Sequence, residues 1–516
     1  MNEMDKKYQL NYSKLKLSMF IEDIRIKLET KINILFAINL IIVLYFQLKS
    51  FSYNYFFLTL ALFLFLILNK KIPFLIRYLI SISIHLILSS IRFPDVMFKG
   101  RFFAEEGSIY WTNMLTNKFF NTLFYQPTLQ GYFTLDVNLI FSAARQIPIE
   151  WQPFFVSYLT YFLFYLPSLC VAYFARENKY KEKLQDISII LIFLPTLNFS
   201  ETFANSINLQ IFLSLTSLII IIFGLTNLKF IRFEIFFIIL SGFSSIYTVI
   251  LYPLLLLRYI LFKEKVFFKI FLITLIPSIF QTIVYFYLKT NNFLIPRGFY
   301  LKENYFFNEL RKIVINSYIF NLFGETFVSK NNFEIYVAVL LATLFFIFIK
   351  QLNKKTRKNF ILLIISYLLN LFLIIFGSYS NYFHQRYAAI LSTIAFLIIC
   401  LLIFNAKIFE KFMVYILIIS FLNFFNQDYT NLNNCQLSCP SWKQQLQLIE
   451  TSKHSIIYHY PIEENSNWIT DFNLLIPQYS KNQNKIIKDA ELNVDYNLSI
   501  IKIMQSILKY ITIKIF

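Results

Sequence analysis

The sequence predicts an all-α polytopic membrane protein of about thirteen (11–14) transmembrane helices, with a small α+β domain at the C-terminal end. Three observations lead there. First, 57% of the 516 residues are hydrophobic, only 15% are charged, and the mean hydropathy is +0.57. Soluble globular chains carry roughly 25% charged residues, so a soluble enzyme of this length would lack the polar surface to cover its core. So low a charge content also excludes intrinsic disorder. Second, apolar runs of transmembrane length recur along most of the chain. Third, the net charge of +19 gathers in alternate connections between those runs, as the cytoplasmic loops of membrane proteins do. That distribution explains the basic pI without nucleic acid as a partner. The 63 Phe say little about a binding surface, because Phe, Ile, Asn, Lys and Tyr share AT-rich codons.

Segment 1–30 is polar and mixed in charge. It lacks a short apolar run ending in small residues, so no cleavable signal peptide is expected. With Lys6, Lys7, Lys14, Lys16, Arg25 and Lys27 it is expected in the cytoplasm. A transmembrane domain follows over 31–425. A membrane helix needs about 20 mostly apolar residues, and candidate spans fall near 32–48, 53–69, 73–91, 152–174, 186–198, 208–225, 233–247, 248–262, 266–288, 333–350, 359–377, 387–405 and 409–425. The stretch 233–262 reads either as one bent helix or as a tight hairpin. Pro167, Pro195, Pro253 and Pro277 lie in or beside spans, where neighbouring helices can satisfy the freed carbonyls. Basic residues such as Lys70, Lys71, Arg176, Lys181, Arg232 and Lys354 mark inside connections, whereas 199–207 and 378–386 carry almost none. This alternation leaves 92–151, 289–332 and 426–516 outside. The last is polar, and SIIYHY (455–460) alternates as a strand does. Cys435 and Cys439 stand four apart there. An oxidising compartment and a favourable backbone would allow them to pair.

In a chain this poor in charge, the polar residues outside the membrane form a short list. The first outside loop reads RFPDVMFKGRFFAEEGSIYWTNML, with Glu105 and Glu106 flanked by Arg92, Lys99 and Arg101. A carboxylate at the membrane surface can act as general base or hold a divalent cation that bridges a phosphate. A guanidinium such as Arg101 can pair with the phosphate itself. The plainer reading is a solvated pair of glutamates. Ile109, Trp111, Met114 and Leu115 suit a helix lying in the interface. Further on, Asp136 and Arg145 read as helix ends or as cavity lining. The connection PTLNFSETFANSINLQ sets Glu201, Asn205 and Asn208 between two spans, where such groups can bind sugar hydroxyls or simply form a polar turn. In SYSNYFHQRYAAI, His384 and Arg386 stand at an outside boundary. An arginine at that depth needs an anion or a route to water, and the phosphate of a lipid carrier is such an anion. Arg297 is a further phosphate candidate, whereas His85 reads as packing or an interhelical hydrogen bond. No Walker A sequence, paired CxxC, HExxH or GxSxG occurs. No metal site is expected, although a carboxylate could take Mg or Mn.

FFAEEGSIYW, followed by GYFTLDVNLIFSAARQIP, resembles bacterial multipass envelope proteins of the GT-C glycosyltransferase type. SETFANSINLQ is similar to that group's Glu-x-x-x-Asn-x-x-Asn-x-Gln segment, QRY to its Arg-Tyr motif, and CPSWKQQLQLIE to a Trp-containing segment of its outside domain. The resemblance implies a GT-C-like fold in the bacterial inner membrane. It implies a polyprenyl-phosphate sugar donor, and a glycan or lipid-linked acceptor on the outer face. It also implies that an acidic residue of the first outside loop, Glu105 or Glu106 here, activates the acceptor. The donor phosphate would then meet Arg386, with Arg101 or Arg297. Two other activities share these features: a lipid-linked glycan flippase or transporter, and an O-antigen-type polysaccharide polymerase. The near absence of charge within the spans favours chemistry at the interface over translocation.

Overall fold

Apolar runs leave backbone amides and carbonyls without partners in a bilayer, so they close their hydrogen bonds within helices. A computed structural model describes residues 71–92, 94–100, 102, 106–127, 131–176, 181–197, 205–224, 231–291, 352–377, 385–404, 409–426, 441–452, 456–458 and 469–471. The first half of this set holds α1 (Phe74–Arg92), α2 (Pro94–Met97), a π-helical turn (Glu106–Trp111), α3 (Thr112–Thr116), α4 (Phe119–Leu123), α5 (Leu135–Ala144), α6 (Gln152–Leu163), α7 (Leu166–Ala175) and α8 (Lys181–Leu197). A 3-10 turn (Ile149–Trp151) leads into α6, and after a second (Ser206–Asn208) come α9 (Leu209–Phe223), α10 (Ile231–Ser244), α11 (Ile246–Val249), α12 (Pro253–Phe262) and α13 (Lys265–Thr290). The remainder are α14 (Lys354–Gly377), α15 (Gln385–Ile403), α16 (Phe409–Asn426) and α17 (Trp442–Ser452). One antiparallel pair, β1 (Ile456–Tyr458) with β2 (Ile469–Asp471), sets Ile457 opposite Thr470.

Among the described residues, four stretches are long and apolar enough to cross a membrane: Ile149–Ala175, Ser206–Phe223, Lys265–Thr290 and Lys354–Ile375. At 1.5 Å per residue, α13 is about 39 Å long, against a hydrocarbon core of about 30 Å. Its exposed apolar side chains, Phe268, Leu272, Leu275, Ile279, Ile283 and Phe286, recur every three or four residues. Such a stripe on one helix is a lipid-facing surface rather than a core.

The centre of the bundle is α9. All of its residues except Phe223 are buried, as befits a helix apolar on every side. It packs against α7, α10, α14 and α15, while α8 packs against α1, α7, α15 and α16. Hydroxyl groups lace this core: Ser214 meets Ser245 at 3.0 Å and Thr248 at 2.8 Å. His85 on α1 shares Nδ1 with the Tyr161 and Tyr165 hydroxyls at 2.7 and 2.8 Å, the interhelical role expected of it. An ion pair of 3.3 Å, Arg77–Asp186, ties α1 to α8.

Two expected spans carry an internal turn while remaining continuous apolar helices, Ile149–Ala175 and Ile246–Phe262. The run at 152–174 divides between α6 and α7, because Pro167 sits in the first turn of α7 and cannot donate to the turn before it. The run at 248–262 is a one-turn helix followed by α12, which Pro253 opens. A Ser245 side chain that accepts from the Tyr247 amide at 3.2 Å separates α11 from α10. Of the strand expected over 455–460, Ile456–Tyr458 is β1, and the other residues lie outside the described ones. The spans expected at 32–48, 53–69 and 333–350, and most of 289–332 and 426–516, lie outside the described residues.

Candidate polar site between two loops

Glu106 opens the π-helical turn and is fully buried. One of its carboxylate oxygens accepts the main-chain amide of Ser206 at 2.5 Å. Ser206 is reachable because Asn205 caps the 3-10 turn, its side chain accepting from the Ile207 amide at 3.0 Å. Two segments a hundred residues apart are thereby joined through a carboxylate. Asn208 ends the same turn and is buried. Of the sequence candidates, the structure brings together Glu106, Asn205 and Asn208. Glu105, Arg101, Glu201, Arg297 and His384 lie outside the described residues, as do Cys435 and Cys439. Arg386 falls in the first turn of α15, and its side chain lies outside them too.

Around this joint stand Gln210, the last polar residue of the Asn-rich connection, and several groups that spacing alone did not single out. Gln210 donates from Nε2 to the Tyr132 hydroxyl at 2.9 Å and to the Ile207 carbonyl at 3.0 Å. Gln126 donates to the carbonyls of Pro127 at 2.8 Å and Tyr132 at 3.0 Å. Between them the chain turns at Gly131, whose φ of +75° suits a residue without Cβ. The Tyr110 and Thr134 hydroxyls meet at 2.9 Å. Asn138 spends its amide hydrogens on the carbonyls of Leu123 and Tyr125. With their donors so committed, the Oε1 atoms of Gln126 and Gln210 and Oδ1 of Asn138 are buried without a hydrogen-bond partner among the described residues. The segments that Glu106 joins therefore carry a surplus of acceptors, which suits a ligand rich in hydroxyl donors.

Asp136 belongs to the same region. It lies in the first turn of α5, and its amide donates to Ser244 Oγ on α10 at 3.0 Å. Both of its carboxylate oxygens are buried, and neither has a well-formed hydrogen bond among the described residues. Burial pushes its carboxyl from 3.8 up to about 8, opposed only in part by the Val137 and Asp136 amides and the Ser244 hydroxyl. The sequence signal was an acid inside an apolar stretch. Arg145 is indeed a helix end: it caps α5 and donates to the Asn117 carbonyl.

The expected interfacial helix at 105–115 is instead packed inside the protein. Trp111, Met114 and Leu115 are buried, and Trp111 donates from Nε1 to Gln152 Oε1 at 2.8 Å. Phe102, Trp111 and Trp442 form an aromatic cluster, with ring centres 5.1–5.5 Å apart. Trp442 at the start of α17 is fixed there at both ends. Its amide donates to the Lys99 carbonyl and its Nε1 to the Ile149 carbonyl, each at 2.9 Å.

Among the described residues, no three His, Cys, Asp or Glu side chains cluster as a metal site. Cys170 and Cys400 are free thiols. No protein-family model matches the chain, and none of the curated proteins or solved structures does.

Proposed function

We propose that the protein is a membrane glycosyltransferase. It transfers a sugar from a polyprenyl-phosphate donor to an envelope glycan or lipid-linked acceptor on the outer face of the bacterial inner membrane, with its N-terminus in the cytoplasm. The observation that carries this reading is the Glu106–Ser206 contact, which unites the acidic loop with the Asn-rich connection. The unpartnered acceptor oxygens nearby favour a polyol as the ligand.

Glu106 is fully buried and already engaged, which favours a positioning role: it holds the two loops in register. The neighbouring Glu105 is then the general base. It takes the proton from the acceptor hydroxyl as that oxygen attacks the anomeric carbon, and the bond from that carbon to the phosphate oxygen breaks on the opposite face. The configuration inverts and polyprenyl phosphate leaves. Arg386, with Arg101 or Arg297, would neutralise the departing phosphate. Glu201, Asn205, Asn208 and His384 would contact the sugar. A Mg or Mn ion would be an accessory to this chemistry, not a requirement of it.

The test is separate Glu105→Gln and Glu106→Gln substitutions in the full chain. Readouts are surface glycan, accumulated lipid-linked intermediates and the Tm of the purified protein. Glu105→Gln is expected to slow transfer by about 10²–10⁴-fold at unchanged Tm, whereas Glu106→Gln lowers Tm and transfer together. Transfer lost in Glu106→Gln alone, at unchanged Tm, would move the base to Glu106. Full activity in the double variant would sink the assignment.

A further inference from the structure

A cavity of about 700 Å³ opens at the end of the bundle where α1, α8 and α10 begin and α7 ends. The Glu106 joint lies beyond the other end of α8. Leu75, Leu169, Ala172, Phe174, Ile220 and Phe237 line the cavity. Its volume falls within the roughly 300–1,000 Å³ of single-ligand sites, which is room for one hydrocarbon chain rather than a whole lipid. Among the wall residues, Leu75 is 65%, Phe233 59% and Leu169 44% exposed. Apolar side chains this open, on helices of a membrane bundle, face lipid. The entrance is thus lateral, from the bilayer.

The mouth is charged. Arg176, just past the end of α7, and Lys181, at the start of α8, are both exposed wall residues of the same cavity. Neither forms an ion pair with a described residue. Glu234 also lines the cavity, but it is buried and lies within Coulombic reach of Arg258 on α12, so its charge is offset from the protein side. The mouth is left net positive.

We infer that this cavity binds one anionic phospholipid, with an acyl chain between α1, α7 and α10 and the phosphate at Arg176 and Lys181. Basic pockets between membrane helices bind anionic headgroups in this way. The site is separate from the Glu106 joint, and its test needs no transferase activity.

The experiment uses the full-length protein in detergent, titrated with phosphatidylglycerol, with phosphatidylcholine and with glycerol 3-phosphate, and bound species counted by native mass spectrometry. One phosphatidylglycerol is expected to bind about 30-fold more tightly than phosphatidylcholine, the preference that two basic side chains supply. Arg176→Gln/Lys181→Gln, which alters only exposed side chains, should abolish that preference. Leu169→Trp, at a position open enough to take the larger ring, should weaken both lipids by filling the cavity. Glycerol 3-phosphate should not bind. Equal binding of the two lipids, a preference that survives the double substitution, or glycerol 3-phosphate binding as tightly as phosphatidylglycerol would each overturn the inference. So would undiminished lipid binding by Leu169→Trp.

Discussion

Asp136 is the described acid for which the fold makes least provision, since both of its oxygens are buried without a well-formed hydrogen bond among the described residues. Its carboxyl titrates near 3.8 in the unfolded chain and is pushed to about 8 in the folded one. Between those values the native state keeps a proton that the unfolded state releases, so stability falls as pH rises. The contribution is complete below the unfolded value and is gone once the pH passes the folded one. Its slope is about 1.4 kcal/mol per pH unit for a single proton. Thermal unfolding of the detergent-solubilised protein between pH 5 and 8 should show a falling Tm, and Asp136→Asn should flatten that fall. An equal slope in wild type and variant would refute it. The sequence marked Glu106 as a residue of interest because acids are scarce here. It could not mark Asp136 as buried, because an acid in the first turn of a helix is ordinary composition.

Helix ends and crossings show where hydropathy suffices and where it does not. Hydropathy predicts α13 and α14 to within a few residues, because a long apolar run has one way to satisfy its backbone in lipid. It places the division at Ser245 to within three residues but misses the turn before Pro167, which depends on one missing donor. Crossings depend on single small residues. At Gly242 on α10, an added Cβ would fall 1.7 Å from the Tyr252 hydroxyl and 3.1 Å from Pro277 Cβ on α13. That hydroxyl is held in place, donating to the Ile238 carbonyl at 2.9 Å. Gly242→Ala should therefore cost about 1–3 kcal/mol or more, read as a lowered Tm. In a Tyr252→Phe background the cost should shrink, because the oxygen nearest the new methyl is gone. Additive effects of the two changes would show that the crowding lies elsewhere.

At the scale of the molecule, the polar joint is assembled from segments distant in sequence. The first loop is completed on one side by the Asn205–Gln210 connection and on the other by Trp442. Hydropathy carries no information about such pairings. Glu106, Asn205 and Asn208 were legible as scarce polar residues, but that Ser206 supplies the amide, or that Trp442 seats on Phe102 and Trp111, follows only from the fold. Trp442→Ala should cost about 3–5 kcal/mol, as for other large buried aromatics. It should also free α17, seen as faster proteolysis of the chain beyond α16. Proteolysis at the wild-type rate with unchanged Tm would contradict that role. The seat also imposes an order on synthesis. At about 5–20 residues per second, the roughly 330 residues between Trp111 and Trp442 take about 15–65 s to translate. Throughout that interval the first loop has left the ribosome while its aromatic socket stands open. The nascent chain must pass this time with two large rings uncovered, so a shortened or stalled product carries an exposed adhesive patch that the finished protein never shows.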